Sequence, residues 1–276
     1  MNRRQFLAVG GAAGLAGVTG LSGTGCGSGG PGSGAASLPS ARGLVEVSGE
    51  LASRYARARM GWTISVPAGG RRPRAIVYCL HAKGGSHRMA FDAIRVPQAA
   101  ARIGFDVAVA AVDGGPDSYW HRRADGTDAL AMFLHEFVPL VRGRVGHLPQ
   151  ALMGWSMGGY GALLAAERAR RQFVAVSPAS PALWLTPGAT APGAFDSPAD
   201  FYANDVFTGI GNLAHMTVAV WCGTADPFYE ATRHLVSLMH FPHQAHFGPG
   251  SHDEGFWRKV AVAQIRAIAA APGIAG

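Results

Sequence analysis

The stretch that decides the fold is Ala151-Leu152-Met153-Gly154-Trp155-Ser156-Met157-Gly158. The apolar residues before Gly154 predict a buried strand, and the alanine-rich run from Met157 to Arg170 predicts a helix. A sharp turn between a strand and a helix crowds the two backbones, so the positions two residues before and after the serine must be glycine. The pattern Gly-x-Ser-x-Gly in this context predicts that Ser156 is a nucleophile raised above the sheet.

Apolar runs on both sides of this turn predict the rest of the sheet. Strands are expected at residues 44–47, 61–66, 75–80, 106–112, 173–176 and 218–221, and helical spacing of apolar residues is found at 128–144, 231–239 and 256–271. Alternating strands and helices predict a mainly parallel sheet with helices on both faces. Together with the Gly-x-Ser-x-Gly turn, this arrangement predicts an α/β-hydrolase fold. The proline-rich residues 177–213 predict a short irregular cap over the site.

A serine nucleophile needs a base, and the base needs an acid that orients it. In this kind of fold the acid and then the histidine follow the serine in the chain. Asp226 comes directly after a predicted buried strand, and His252 follows the loop Gly248–Ser251. The competing acids lie in the cap segment and suit the capping of turns; they are Asp196, Asp200 and Asp205. The competing histidines lie on predicted helices or strands; they are His234, His240, His243 and His246.

An oxyanion formed during such a reaction needs two backbone donors. The first expected donor is the N–H of Met157, the residue after the nucleophile. The second should come from the loop after strand 75–80, which reads Leu80-His81-Ala82-Lys83-Gly84-Gly85. The N–H of Lys83 is the predicted second donor, and the neighbouring Ala82 is the alternative.

Aromatic and histidine side chains near these loops are candidates for a substrate pocket, because an aromatic rim suits sugar or acyl groups. They are His81, Trp120, His121, Trp155 and Trp184. The alternative for Trp120 and Trp184 is that they only pack the cap. No metal site is expected, because His240, His243 and His246 have the wrong spacing for ligands on one helix face.

The N-terminal residues predict an export signal. Arg3 and Arg4 precede apolar residues, and Ala8–Leu21 is uncharged but too short and glycine-rich for a membrane span. Residues 1–26 are therefore expected to be a twin-arginine signal peptide. Leu21–Gly25 loosely resembles a lipobox, so Cys26 is a candidate lipid anchor; the alternative is plain signal cleavage. Residues 27–43 predict a flexible linker and 44–276 the catalytic domain, which includes the cap 177–213.

The composition narrows the classes of partner. A chain of 276 residues with a net charge of +7 suits one large domain, and its basic residues are scattered along the sequence. A nucleic-acid interface would need a clustered basic stripe, so nucleic acid is not expected as a partner, whereas contact with an anionic cell surface is compatible. Cys79 and Cys222 lie in predicted strands and are expected to be buried thiols.

The motif Gly154–Leu163, the loop Leu80–Lys83 and Gly250-Ser251-His252 with Trp257 downstream resemble the putative-esterase family of α/β-hydrolases. That family includes esterase D (S-formylglutathione hydrolase), feruloyl esterases and the mycobacterial mycolyltransferases. The resemblance extends over about Val45–Ala270. Two positions depart from it, because Ala82 stands where many relatives have glycine and Asp226 stands where the mycolyltransferases use glutamate.

The resemblance implies Ser156, Asp226 and His252 as a catalytic triad, with the N–H groups of Lys83 and Met157 as the oxyanion hole. The expected activity is that of an exported serine carboxylesterase that hydrolyses an ester through an acyl-enzyme. Two alternatives stay open: an acyltransferase acting on a cell-envelope sugar or lipid, and a non-catalytic envelope-binding protein on a hydrolase scaffold. No cofactor is expected. A monomer is expected, attached to the cell envelope or secreted, acting on a small-molecule or glycolipid ester.

Overall fold

The computed structural model describes residues 43–169 and 171–275. The predicted signal peptide, the candidate anchor Cys26 and nearly all of the predicted linker lie outside these residues. The described strands are β1 (Leu44–Ser53), β2 (Ala58–Pro67), β3 (Ile76–Leu80), β4 (Ala108–Val112), β5 (Gln150–Trp155), β6 (Ala175–Ala179), β7 (Thr217–Gly223) and β8 (Gln244–Gly248). The α-helices are α1 (Met89–Asp92), α2 (Val96–Arg102), α3 (Ala129–Met132), α4 (Val138–Val145), α5 (Met157–Arg168), α6 (Pro198–Ala203), α7 (Val206–Gly209), α8 (Tyr229–Ser237) and α9 (Glu254–Ala269).

The eight strands form a single sheet in the order β1-β2-β4-β3-β5-β6-β7-β8. β1 and β2 form an antiparallel hairpin, and β2 pairs antiparallel with β4. All pairs from β4 to β8 are parallel. Strands β3 to β8 therefore begin at one edge of the sheet, here called the amino edge, and end at the opposite, carboxyl edge. The predicted α/β-hydrolase fold is confirmed.

Both faces of the central strands are covered, which explains why β3, β4 and β5 are largely apolar and buried at every residue. In β3, Tyr78 and Leu80 pack on one face with the helices α3 to α5, while Val77 and Cys79 pack on the other with α2 and α9. Cys79 and Cys222 are both buried, as expected from their strands. In the described part, no helix is both long and apolar enough to cross a membrane.

Two predicted segments differ from the structure in detail. The predicted helix 128–144 is divided: α3 passes into a π-helical turn at Phe133–Phe137 before α4 begins. There the N–H of Val138 donates to the carbonyl of Phe133, next to Pro139, which has no N–H to continue an ordinary helical ladder. The predicted cap begins later than residue 177, because β6 continues to Ala179, and it contains α6 and α7.

Glu167 is a buried carboxyl group on α5, the helix that follows Ser156. It packs against Gly209 of α7, where an added Cβ would lie 2.3 Å from Oε2 of Glu167. Its Oε1 has no hydrogen-bond partner among the described residues. Burial raises the pKa of Glu167 from 4.5 to about 9. The carboxyl group is therefore protonated in the folded protein at neutral pH.

This burial predicts a pH-dependent stability. Above pH 4.5 the unfolded chain loses a proton that the folded protein keeps up to about pH 9. The free energy of unfolding therefore contains a contribution that falls by up to about 1.4 kcal/mol per pH unit across this range. In Glu167→Gln that contribution is absent, so the variant should gain stability relative to the wild type as pH rises.

Urea unfolding at several pH values across this window measures the difference. The exposed Glu230→Gln is the matched control and should keep the pH profile of the wild type. Parallel profiles for wild type and Glu167→Gln would show that the carboxyl group is ionised in the folded state.

Candidate active site

Ser156 occupies a strained turn at the carboxyl edge, between β5 and α5. Its backbone is left-handed, with φ 54° and ψ −119°, which is costly for a residue with a side chain. An added Cβ would lie 2.0 Å from a carbonyl oxygen at both flanking glycines: from that of Gly158 at Gly154, and from that of Leu80 at Gly158. The crowding predicted for these glycines is confirmed, and it lifts the Ser156 hydroxyl above the sheet.

The three residues predicted to act together meet at this edge. Nε2 of His252 lies 2.8 Å from Oγ of Ser156, and Nδ1 of His252 lies 2.9 Å from Oδ2 of Asp226. Asp226 follows β7 and His252 lies between β8 and α9, so the parallel strands bring the residues together although they are far apart in the chain. A ring whose Nδ1–H donates to the carboxylate leaves Nε2 free to accept the serine proton.

The competing acids, and His246 among the competing histidines, have other partners. Asp196 pairs with Arg123, and Asp205 caps the start of α7. The carboxylate of Asp200 accepts a hydrogen bond from the N–H of Asp196 within the cap. The ring of His246 stacks on Trp221 at 3.9 Å between centroids.

Within residues 43–169 and 171–275, no group of three His, Cys, Asp or Glu side chains is arranged to hold a metal ion.

The carboxylate of Asp226 is fully enclosed, yet it is held in its charged form. Burial alone would raise its pKa, but the hydrogen bond from His252 and the one from the N–H of Phe228 at 2.8 Å outweigh burial and lower the pKa below its usual value. The nearby hydroxyl of Ser180 adds to this effect without an aligned hydrogen bond. The ring of His252 therefore faces a permanent negative charge, which favours the tautomer with the proton on Nδ1.

Two aromatic rings fix the plane of His252. Phe228 and Trp257 each contact it with an edge, at centroid distances of 5.1 and 5.2 Å. The sequence indicates Trp257 only through the family resemblance, and it does not predict a role for Phe228. Its position two residues after Asp226 is the signal that could have found it, because the same short turn carries both side chains.

The predicted oxyanion donors are both available. Met157 is the first residue of α5, and neither its N–H nor that of Lys83 has a hydrogen-bond partner within the described residues. The carbonyl of Ala82 accepts from Gly85 N–H at 2.9 Å and faces Nδ1 of His81 at 2.8 Å. Because a trans peptide points its C=O and N–H in opposite directions, this fixes the direction of the Lys83 N–H. The alternative donor, the N–H of Ala82, faces the sulfur of Met89 instead.

His81 therefore stabilises this loop and does not line the pocket. It is 2 % exposed, and its Nε2 accepts the N–H of Gly114 at 2.9 Å. With its proton on Nδ1, the neutral ring satisfies both neighbours. Burial keeps it neutral, since it lowers the pKa of His81 below its usual value.

We expect His81→Ala to lower kcat by roughly 10- to 100-fold with little change in KM, because a loosened Lys83 amide loses part of what one oxyanion donor supplies. The free energy of unfolding should also fall by about 1–3 kcal/mol, since a buried amide and a buried carbonyl each lose a partner. Steady-state kinetics and urea unfolding measure the two effects. The exposed His147→Ala is the control, and an unchanged kcat in a folded His81→Ala would contradict the assignment.

The prediction that five residues line the pocket is wrong for four of them, because their side chains are enclosed by the protein. These four are His81, Trp120, His121 and Trp155. The ring of Trp120 fills the space beside two glycines, Gly114 and Gly161, where an added Cβ would lie 2.6 and 2.4 Å from it. His121 stacks on Phe195 at 5.0 Å. Trp155 precedes Ser156 but points to the opposite face of the sheet, where it packs in the core under α9.

Trp184 is the predicted pocket residue that stays partly exposed. It contacts Phe228 at a centroid distance of 5.2 Å and Tyr119 at 5.5 Å. Since Phe228 in turn contacts His252, a row of aromatic rings leads from the cap to the site. A hydroxyl, an imidazole and a carboxylate in one hydrogen-bonded line, beside two free amides, are suited to attack on a carbonyl carbon.

Comparison with known proteins identifies the family of this chain. A family model described as "Putative esterase" matches residues 71–265, well over half of the chain. No curated protein sequence matches.

Solved structures similar to this chain include a ferulic acid esterase at 18 % identity and a TM-score of 0.70, covering 83 % of this chain and 99 % of that one. Fluorophosphonate-binding serine hydrolase F of Staphylococcus aureus is 17 % identical, with a TM-score of 0.68 and coverage of 82 % and 98 %. S-formylglutathione hydrolase from the same organism is 16 % identical, with a TM-score of 0.66 and coverage of 82 % and 99 %. At these identities the likeness shows the shared fold.

Proposed function

The chain belongs to the putative-esterase family, and from that premise we propose that it is an exported serine carboxylesterase that hydrolyses its substrate through an acyl-enzyme on Ser156. The observation that carries the proposal is the hydrogen-bonded line from the Ser156 hydroxyl through His252 to Asp226, with both bonds under 3 Å. The enzymes of this family act on ester bonds, and this line supplies the nucleophile and the base that such a reaction needs.

The first half-reaction forms the acyl-enzyme. Nε2 of His252 takes the proton of Ser156 as Oγ bonds to the ester carbonyl carbon, and Asp226 stabilises the imidazolium that results. The carbonyl oxygen becomes negatively charged and is held by the N–H groups of Met157 and Lys83. When the tetrahedral intermediate collapses, the imidazolium gives its proton to the leaving oxygen, and an alcohol departs.

The second half-reaction releases the acid. Water gives a proton to Nε2 of His252 while its oxygen attacks the acyl carbon, and the same two amides hold the second oxyanion. Collapse returns the proton to Oγ of Ser156 and frees the carboxylic acid. The same residues would perform acyl transfer if an alcohol replaced water at this step, so the acceptor decides between hydrolysis and transfer.

A series of p-nitrophenyl esters of increasing acyl length tests the proposal and measures which acyl length the enzyme prefers. We expect p-nitrophenol and free acid to appear in equal amounts for the preferred ester. Adding trehalose or glycerol distinguishes the alternatives, because a hydrolase keeps releasing free acid whereas an acyltransferase diverts the acyl group to the sugar or glycerol. Absence of turnover for every ester by the folded protein would favour the non-catalytic alternative.

We further propose that residues 1–26 direct export by the twin-arginine route and that Cys26 becomes a lipid anchor. The paired arginines, Arg3 and Arg4, and the uncharged apolar residues after them support this proposal. Replacing both arginines with lysine should leave the protein inside the cell in a fractionation assay. Cys26→Ser should abolish labelling with radioactive palmitate while leaving export intact. Export of the double-lysine variant at the wild-type level would contradict the first claim, and palmitate labelling of Cys26→Ser the second.

A further inference from the structure

Several of the arginines that are scattered along the sequence lie close together at the amino edge of the folded sheet. Strands β3 to β8 all begin there, so the connections that precede them lie side by side. Backbone hydrogen bonds join neighbouring connections: Arg74 N–H donates to Asp106, and Thr217 N–H donates to Val174, at 2.8 and 3.0 Å. The described connections at this edge are residues 68–75, 103–107, 146–149, 171–174, 214–216 and 238–243.

The charge of this edge is strongly positive. Asp106 is the one carboxylate in these described connections, and it is paired with Arg71. A further arginine, Arg102, lies in the last turn of α2, next to the same edge. The arginines exposed here are Arg72, Arg74, Arg102 and Arg171. Exposed histidines accompany them: His147, His215, His240 and His243.

The carboxyl edge, where Ser156 lies, is nearly balanced in charge. Its described connections, residues 54–57, 81–88, 113–128, 180–197, 224–228 and 249–253, contain seven aspartates against six lysines and arginines. The protein therefore has a positive end and a nearly neutral end, with the site at the neutral one. Such a charge separation orients a protein in front of a charged surface.

A groove of about 530 Å³ opens in the amino edge between the starts of β6, β7 and β8. Its rim carries Arg171, His215 and His243, and apolar side chains such as Phe173 and Pro242 form part of its wall. A cationic rim over an apolar wall matches the chemistry of an anionic phospholipid headgroup and the carbon atoms attached to it.

The N-terminal part of the chain joins the domain at the same edge. The carbonyl of Gly43, the first described residue, accepts hydrogen bonds from Ala68 N–H at 2.9 Å and from the guanidinium of Arg71 at 3.1 Å. Gly43 therefore lies at the positive end of the domain, and the candidate anchor Cys26 precedes it in the sequence.

We propose that the amino edge docks on an anionic lipid surface and holds the Ser156 site on the side facing away from it. Charge complementarity and the point of attachment of the N-terminal residues both select a membrane as the occupant of this edge. Near an anionic bilayer each exposed arginine strengthens binding about fivefold. Several arginines on one face thus supply the second signal that a single lipid chain needs for stable attachment. The inference does not depend on the proposed ester hydrolysis, whereas its argument from the N-terminal residues rests on the proposed anchor at Cys26.

Vesicle sedimentation tests it with the full-length chain carrying Cys26→Ser, so that no lipid anchor contributes. We expect binding to vesicles of phosphatidylcholine mixed roughly three to one with phosphatidylglycerol, weakened by salt, and none to phosphatidylcholine alone. The triple variant Arg72→Gln, Arg102→Gln, Arg171→Gln should bind about 100-fold more weakly, from about fivefold per arginine. These side chains are exposed and have no side-chain partner among the described residues.

The matched control removes the same charge elsewhere, with Arg122→Gln, Arg233→Gln and Lys259→Gln, and should bind nearly as well as the wild type. Equal binding by the two triple variants would overturn the proposal, because attraction would then come from net charge or from the N-terminal residues. Binding to duplex DNA without binding to the anionic vesicles would also overturn it and assign the edge to nucleic acid. Urea unfolding of both triple variants confirms that each is folded.

Discussion

Replacing Ser156 by alanine is expected to lower kcat for the best p-nitrophenyl ester by about a million-fold, the scale seen when a triad serine is removed. The loss is large because Oγ of Ser156 is the atom that bonds to the acyl carbon, and His252 has nothing to deprotonate without it. The fold should be unaffected, since alanine is smaller and the left-handed backbone at residue 156 is fixed by the glycines beside it. Labelling with a fluorophosphonate probe should disappear together with the activity.

The control for this variant is Ser237→Ala, whose hydroxyl bonds only to the carbonyl of His234 on α8. It should keep the labelling and the activity of the wild type. A folded Ser156→Ala that still reacts with the fluorophosphonate or still hydrolyses esters within tenfold of the wild type would show that another residue is the nucleophile.

Replacing Asp226 by asparagine is expected to lower kcat by about ten-thousand-fold. The carboxamide can face Nδ1 of His252 with its NH₂ group, because its oxygen is already held by the N–H of Phe228. Nδ1 then becomes the acceptor and the ring carries its proton on Nε2, where it cannot take the proton of Ser156. The side-chain volume hardly changes, so the protein should fold and the loss should fall on kcat.

Asp92→Asn is the matched control, because Asp92 is an exposed carboxylate paired with Arg88 on α1 and lies outside the site. Its kcat should equal that of the wild type. A loss of less than tenfold for Asp226→Asn would mean that the carboxylate does not set the tautomer of His252, and the pH profile of kcat would then show which group does.

The sequence allowed prediction of the elements that local patterns control. The turn at Ser156 could be placed because its crowding is a local requirement: both flanking positions must lack a side chain whatever the rest of the fold does. Asp226 and His252 could be placed because parallel strands end at one edge, so residues just after two strands are brought near the nucleophile. The structure brings all three together.

The pocket could not be predicted, since neighbours in sequence point in different directions. Trp155 lies next to Ser156, but the alternation of side chains along β5 turns it into the opposite core. His81 and Trp120 follow parallel strands as Asp226 does. Their side chains are nevertheless buried, and they support the loops on which the site residues lie. Which of these side chains faces solvent depends on contacts between distant segments, and the sequence does not show those contacts.

The cluster of arginines at the amino edge could not be predicted for the same reason. Its arginines are separated by tens of residues, and only the common starting edge of the strands makes them neighbours. The net charge of +7 was visible in the sequence, but its concentration at one edge was not.

The most direct test of the central claim is to trap the acyl-enzyme. The protein is mixed with p-nitrophenyl acetate, quenched with acid within the first turnovers and digested with trypsin for mass spectrometry. We expect one acetyl group on the peptide Val145–Arg168, located by fragmentation on Ser156, which is its one serine. An acetyl group on a different residue, or steady turnover with no acetylated protein at any quench time, would contradict an acyl-enzyme on Ser156.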